Sequence, residues 1–126
     1  MSPHVMSQIR DSQGNLVSVY KPTRWLQATS PATAAAVTTL MRHVVQYGTA
    51  AGVGFPPQDE VAAKTGTAQV GVGNTATTDW MIAFAPASHP KVAVAVVIPN
   101  QSLSATGAEI SGPVVNAMIQ AALALP

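Results

Sequence analysis

Apolar residues recur along this chain with two different periods. Between residues 78 and 85 they alternate, with Trp80, Ile82 and Phe84 on one side, which predicts a strand. Residues 91–98 are β-branched and nearly all apolar, as in a central strand covered on both faces. Residues 61–70 predict a third strand, joined to the next by a Gly-rich connection at 71–77. Between residues 31 and 47 the period changes. Ala35, Val37, Leu40, Met41, Val44 and Val45 fall at helical spacing. Ser30 suits the N-cap of that helix, Pro31 its first position, and Gly48 the site just past its end. Val114, Val115, Met118, Ile119 and Leu123 predict a terminal helix.

Turn-formers divide the rest. Residues 4–20 predict a hairpin around the turn-rich segment 11–15, followed by a connector at 21–29 that contains Pro22. Residues 48–60, with Gly52, Gly54, Pro56 and Pro57, are expected to be solvated loop. A turn at 86–90 and a loop at 100–106 complete the order: hairpin, helix, strand, strand, strand, helix. Three strands with short links imply an antiparallel meander, and helices from both sides in sequence can pack on its one face. The expected class is α/β in the α+β sense, an antiparallel sheet with flanking helices. No internal repeat interrupts that order.

Composition adds a constraint. At 126 residues the chain is one domain or part of one. Hydrophobic residues make up 48%, enough for a core. Charged residues make up only 9%, against roughly 25% in typical soluble domains, so part of the surface is expected to pack against more protein. The net charge of +1 is scattered, without the basic face that nucleic acid requires. There is no cysteine, and His4, His43 and His89 lie far apart, so no metal site and no cofactor are expected. No apolar run reaches the roughly 18–20 residues of a membrane span. Residues 1–20 lack a signal-peptide pattern, so the sequence itself carries no export address.

The candidate chemistry lies in Lys64-Thr65-Gly66-Thr67-Ala68. On a strand, Lys64 and Gly66 face one side and Thr65 and Thr67 the other. Gly66 has no Cβ, so an extended ligand backbone can approach closely and pair as an added strand. A phosphate-loop reading fails, because Ala63 stands where that motif needs glycine.

Lys-Thr-Gly is one of three signatures of penicillin-binding proteins and serine β-lactamases, with Ser-x-x-Lys and Ser-x-Asn. Residues 64–68, followed by Asp79-Trp80 and an apolar strand, resemble class B penicillin-binding proteins of the actinobacterial type. So do Ser2 to Val5 through Asn15, Met41 to Ala50, Trp80 to Pro86 and Val92 to Val97. The resemblance implies a penicillin-binding, serine β-lactamase-like transpeptidase fold. It implies that Lys64 attracts a substrate carboxylate, that the Thr65 and Thr67 hydroxyls bind it, and that the Thr67 N–H helps form the oxyanion hole. In this reading Lys64 and Thr67 are catalytic, and Thr65, Gly66 and Thr67 bind substrate. The implied partners are peptidoglycan stem peptides and β-lactams.

Two signatures are missing. No Ser-x-Asn occurs. Ser-x-x-Lys occurs at Ser18 to Lys21 and Ser88 to Lys91, in a predicted strand and a predicted turn. The motif needs a helix, where residues three apart share a face, so neither serine is expected to be the nucleophile. The chain is therefore expected to be the C-terminal portion, residues 1–126, of a transpeptidase domain. The rest of that domain would be its partner, and an N-terminal anchor outside this chain its link to the extracytoplasmic face of the membrane. Two alternatives are a β-lactamase or D,D-carboxypeptidase and a non-catalytic binding module. Trp80 and Phe84 are expected to pack the sheet, Asp79 to be structural, and the adjacent Asp59 and Glu60 not to form a catalytic pair.

Overall fold

The computed structural model describes residues 3–125, so Met1, Ser2, where the resemblance begins, and Pro126 lie outside it. The chain forms two compact units, Met1–Thr33 and Ala34–Pro126.

The first unit carries the predicted hairpin. Strands β1 (Gln8–Arg10) and β2 (Leu16–Val19) pair antiparallel, with Ile9 opposite Ser18. The turn is built on Asp11. Its Oδ1 accepts from the backbone N–H groups of Gln13 and Asn15 at 2.9 and 2.8 Å, and its Oδ2 from the Asn15 amide at 3.0 Å. These bonds, that from the Asn15 side chain foremost, lower the Asp11 pKa below its ordinary value. Gly14 supplies the left-handed residue, with φ of 85°.

Helix α1 (Pro31–Gln46) follows, and Ser30 caps it as predicted: its Oγ accepts from Thr33 N–H at 3.1 Å. Strands β3 (Ala62–Val70), β4 (Ala76–Ala85) and β5 (Val92–Gln101) form the predicted antiparallel meander in the order β3-β4-β5. Helices α2 (Gly107–Ile110) and α3 (Gly112–Leu123) pack on one face of it. Thr77, Asp79, Met81, Ala83 and Ala85 of β4 point to that face and are buried. Val115 and Ile119, one turn apart on α3, meet them and are wholly buried.

Three expectations change. Residues 91–98 were expected to form a central strand covered on both faces. Instead β5 is an edge of the described sheet, and Val92, Val94, Val96 and Ile98 turn toward the helices, while Ala93, Ala95 and Val97 are exposed. Second, α1 buries no residue fully, and only its C-terminal turn, through Val44 and Val45, reaches the core. Third, β4 and β5 each exceed the predicted lengths, and α2 stands where a loop was expected to give way directly to the last helix. Its signal was present: Thr106-x-x-Glu109 is a capping-box sequence, and Thr106 Oγ1 accepts from Glu109 N–H at 3.3 Å and donates to Glu109 Oε2 at 2.9 Å.

Candidate active-site strand

Register fixes how the Lys-Thr-Gly strand presents itself. Lys64 lies opposite Ile82, Thr65 opposite Met81, Gly66 opposite Trp80 and Thr67 opposite Asp79. Directly opposed residues of an antiparallel pair share a face. Thr65 and Thr67 therefore lie on the helix-covered side, and Lys64 and Gly66 on the other, as the period of two predicts. β4 is the only strand paired with β3 among the described residues, so the other edge of β3 carries no strand.

Around that edge the polar groups are ordered. Lys64 is exposed, and its Nζ donates to the carbonyl of Thr65 at 2.6 Å. The Thr65 hydroxyl bonds the Thr49 hydroxyl at 2.7 Å. The Thr67 hydroxyl accepts from the backbone N–H of Gly107 at 3.2 Å. α2 can come this close because position 107 is glycine. A Cβ there would collide with the carbonyl oxygen of Trp80 and lie 2.6 Å from that of Gly66.

Gly66 differs from Gly107. A Cβ at Gly66 would meet the Trp80 Cβ at 3.4 Å, an ordinary contact, and its φ lies outside the left-handed region. Packing within this chain tolerates a side chain there.

Thr49 was missed by the sequence reading, which placed it in solvated loop. The structure ties that loop to the strand: Ala50 is buried in the core, and residues Ala51–Val53 form a short 3-10 turn. Gly107 was missed too. The meeting of residue 49 with residue 65 is tertiary and leaves no local signal.

The remaining candidates stand elsewhere or do something else. Ser18 lies in β2 and Ser88 in a bend, so neither shares a helical face with its lysine. Ser88 N–H instead donates to Glu60 Oε2 at 3.3 Å, tying the β4–β5 turn to the start of β3. That bond, with Ser88 as the leading cause and the Arg42 and His89 charges adding to it, lowers the Glu60 pKa. Asp79 is wholly buried, and neither carboxyl oxygen has a hydrogen-bond partner. It lies in neither a cleft nor an ion pair. Its backbone carbonyl accepts from Ser111 Oγ at 3.0 Å. Trp80 is 44% exposed and Phe84 partly buried, both on the sheet face away from α3. His4 stacks on Tyr20 in the first unit, and His43 leans on Tyr47 in the second. Among the described residues no three His, Asp or Glu side chains converge as a metal site would require.

Comparison with known proteins points the same way. The family model for the penicillin binding protein transpeptidase domain matches residues 1–120. The peptidoglycan D,D-transpeptidase PbpA of Mycolicibacterium smegmatis is 39% identical over 98% of this chain, which spans 26% of that relative's length. PbpA of Mycobacterium tuberculosis is also 39% identical, with the same coverage. The structure of penicillin-binding protein A from M. tuberculosis as a ceftriaxone acyl-enzyme superposes with a TM-score of 0.87 at 38% identity, covering 96% of this chain and 28% of that one. The D,D-transpeptidase domain of a peptidoglycan glycosyltransferase from Eggerthella lenta superposes at 0.73 with 30% identity, covering 93% and 27%. The strand, its register and these matches agree: the chain belongs to the penicillin-binding protein transpeptidase domain family.

Proposed function

We propose that this chain is the C-terminal portion of a D,D-transpeptidase domain and supplies the substrate-aligning wall of its active site. The observation that carries this reading is β3, which holds Lys-Thr-Gly-Thr on a strand with one unpaired edge and ordered hydroxyls beside it. Acyl transfer needs a nucleophile, a base, an oxyanion hole and a rail for the substrate. β3 can supply the rail by pairing with an extended peptide, with Gly66 leaving room. Lys64 contributes positive charge toward a terminal carboxylate, Thr65 and Thr67 donate to it, and the Thr67 N–H serves the oxyanion.

In the full-length protein the reaction would be cross-linking of peptidoglycan stem peptides through an acyl-serine. The serine and its lysine would come from outside residues 1–126, on the extracytoplasmic face of the membrane. β-Lactams would acylate the same serine, in keeping with the acyl-enzyme structures of the M. tuberculosis relative, which include imipenem and penicillin G complexes. The test is Lys64→Ala in the full-length protein. Acylation by penicillin should fall at least tenfold, since a charge-assisted contact to the carboxylate is lost. An unchanged rate would remove Lys64 from the site.

A further inference from the structure

We propose that Thr49 is a positioning residue for carboxylate recognition, because its hydroxyl donates to Thr65 and thereby turns the Thr65 proton toward the ligand. The inference rests on the reading of Thr65 and Thr67 as the hydroxyls that bind a carboxylate.

A hydroxyl has one proton and two acceptor lone pairs. The oxygens of Thr49 and Thr65 are 2.7 Å apart, so one proton lies between them and the other is free. A carboxylate offers only acceptors. Thr65 can donate to it only if the shared proton is that of Thr49. Thr67 already has the equivalent arrangement: Gly107 N–H donates to it from behind at 3.2 Å, leaving its own proton for an outward bond. Both strand hydroxyls then have a donor behind them and an anion in front, and each bond strengthens the next in line.

The backbone around Thr49 is held for this task. Ala50 beside it is 1% exposed and its N–H donates to the Val44 carbonyl at 3.1 Å. Gly48 before it closes against α1, where a Cβ would lie 2.7 Å from the Val44 Cα. Thr49 thus reaches Thr65 from a fixed turn on the core.

The test measures acylation of the full-length protein by penicillin G and by its methyl ester, which lacks the carboxylate charge. Thr49→Val should slow the free acid about five- to tenfold and leave the ester within about twofold, because a hydrogen bond to a charged acceptor is the contact weakened. Thr49→Ser keeps the donor and should hold the wild-type ratio of acid to ester. Three results would overturn the proposal: an unchanged rate in Thr49→Val, an equal slowing of acid and ester, or a fallen ratio in Thr49→Ser. The last remains readable even if the valine variant does not fold. Thr65→Val separates the two layers. If Thr65→Val keeps the wild-type ratio, the carboxylate reading itself is wrong and the proposal goes with it. If Thr65→Val lowers the ratio and Thr49→Val does not, only the role of Thr49 is lost.

Discussion

The two faces of the three-stranded sheet have similar side chains and different surroundings. Facing the helices, Met81 and Ala83 of β4 and Val94 of β5 are buried against Val115 and Ile119. On the opposite face, Trp80, Ile82 and Val97 are 44%, 48% and 46% exposed. An ordinary half-covered antiparallel sheet alternates apolar with polar. This one is apolar on both sides. β4 and β5 are thus written for two covers, and on the second face the described residues reach only the Phe84 end, where Ala62 is buried and Met41 of α1 lies beside Ile82 and Phe84. The unusually low charge of the chain fits the same conclusion.

The largest effect tests the covered face. Met81→Ala should destabilise the chain by about 2–5 kcal/mol, the cost of a large truncation in a packed core, measured by urea unfolding. A loss below ~1 kcal/mol would mean the two faces do not differ. Asp79→Val sharpens the contrast in the other direction. It removes a carboxyl group that is buried on the same face without a hydrogen-bond partner, and should stabilise by about 1–3 kcal/mol in the same assay. Destabilisation would mean that the carboxyl is satisfied in solution. On the open face, Ile82→Thr should change the stability of this chain by no more than about 0.5 kcal/mol. A larger loss would show that this face is covered after all.

The smallest effect is a pH dependence at the end of the sheet. The folded pKa of Glu60 lies below its ordinary 4.5. Its bond to Ser88 therefore adds stability above about pH 4.5, and that contribution disappears as the pH falls through the lower folded value. A Glu60→Gln variant should flatten the stability profile in that window. An unaltered profile would assign the acid sensitivity to other groups, such as Asp11.

Much of the fold was legible because local pattern and tertiary environment agree. Ser30 and Pro31 started α1, the alternation of Trp80, Ile82 and Phe84 marked β4, and Asp11 to Asn15 made the hairpin turn. What was not legible depends on contacts distant in sequence. The run from Val92 to Ile98 is apolar throughout, and nothing in it says which neighbour will cover which side. Thr49 sits among glycines and alanines that read as loop, and its value emerges only when Thr65 folds against it. Asp79 has the sequence context of a polar strand residue, and only the packing of α3 reveals that it is sealed off. The two faces of β3 were legible because a strand period of two needs no tertiary information. By contrast, the capping-box sequence at Thr106 was a local signal that could have placed α2.

The most direct test of the central claim is covalent labelling by a fluorescent penicillin, read by intact mass and peptide mapping. It would be performed on this chain and on the full-length protein that carries it. The prediction is that only the full-length protein is labelled, at a serine outside residues 1–126, and that Lys64→Ala weakens the labelling. Labelling of the isolated chain at Ser18 or Ser88 would contradict the assignment of β3 as the aligning wall of a site whose nucleophile lies elsewhere.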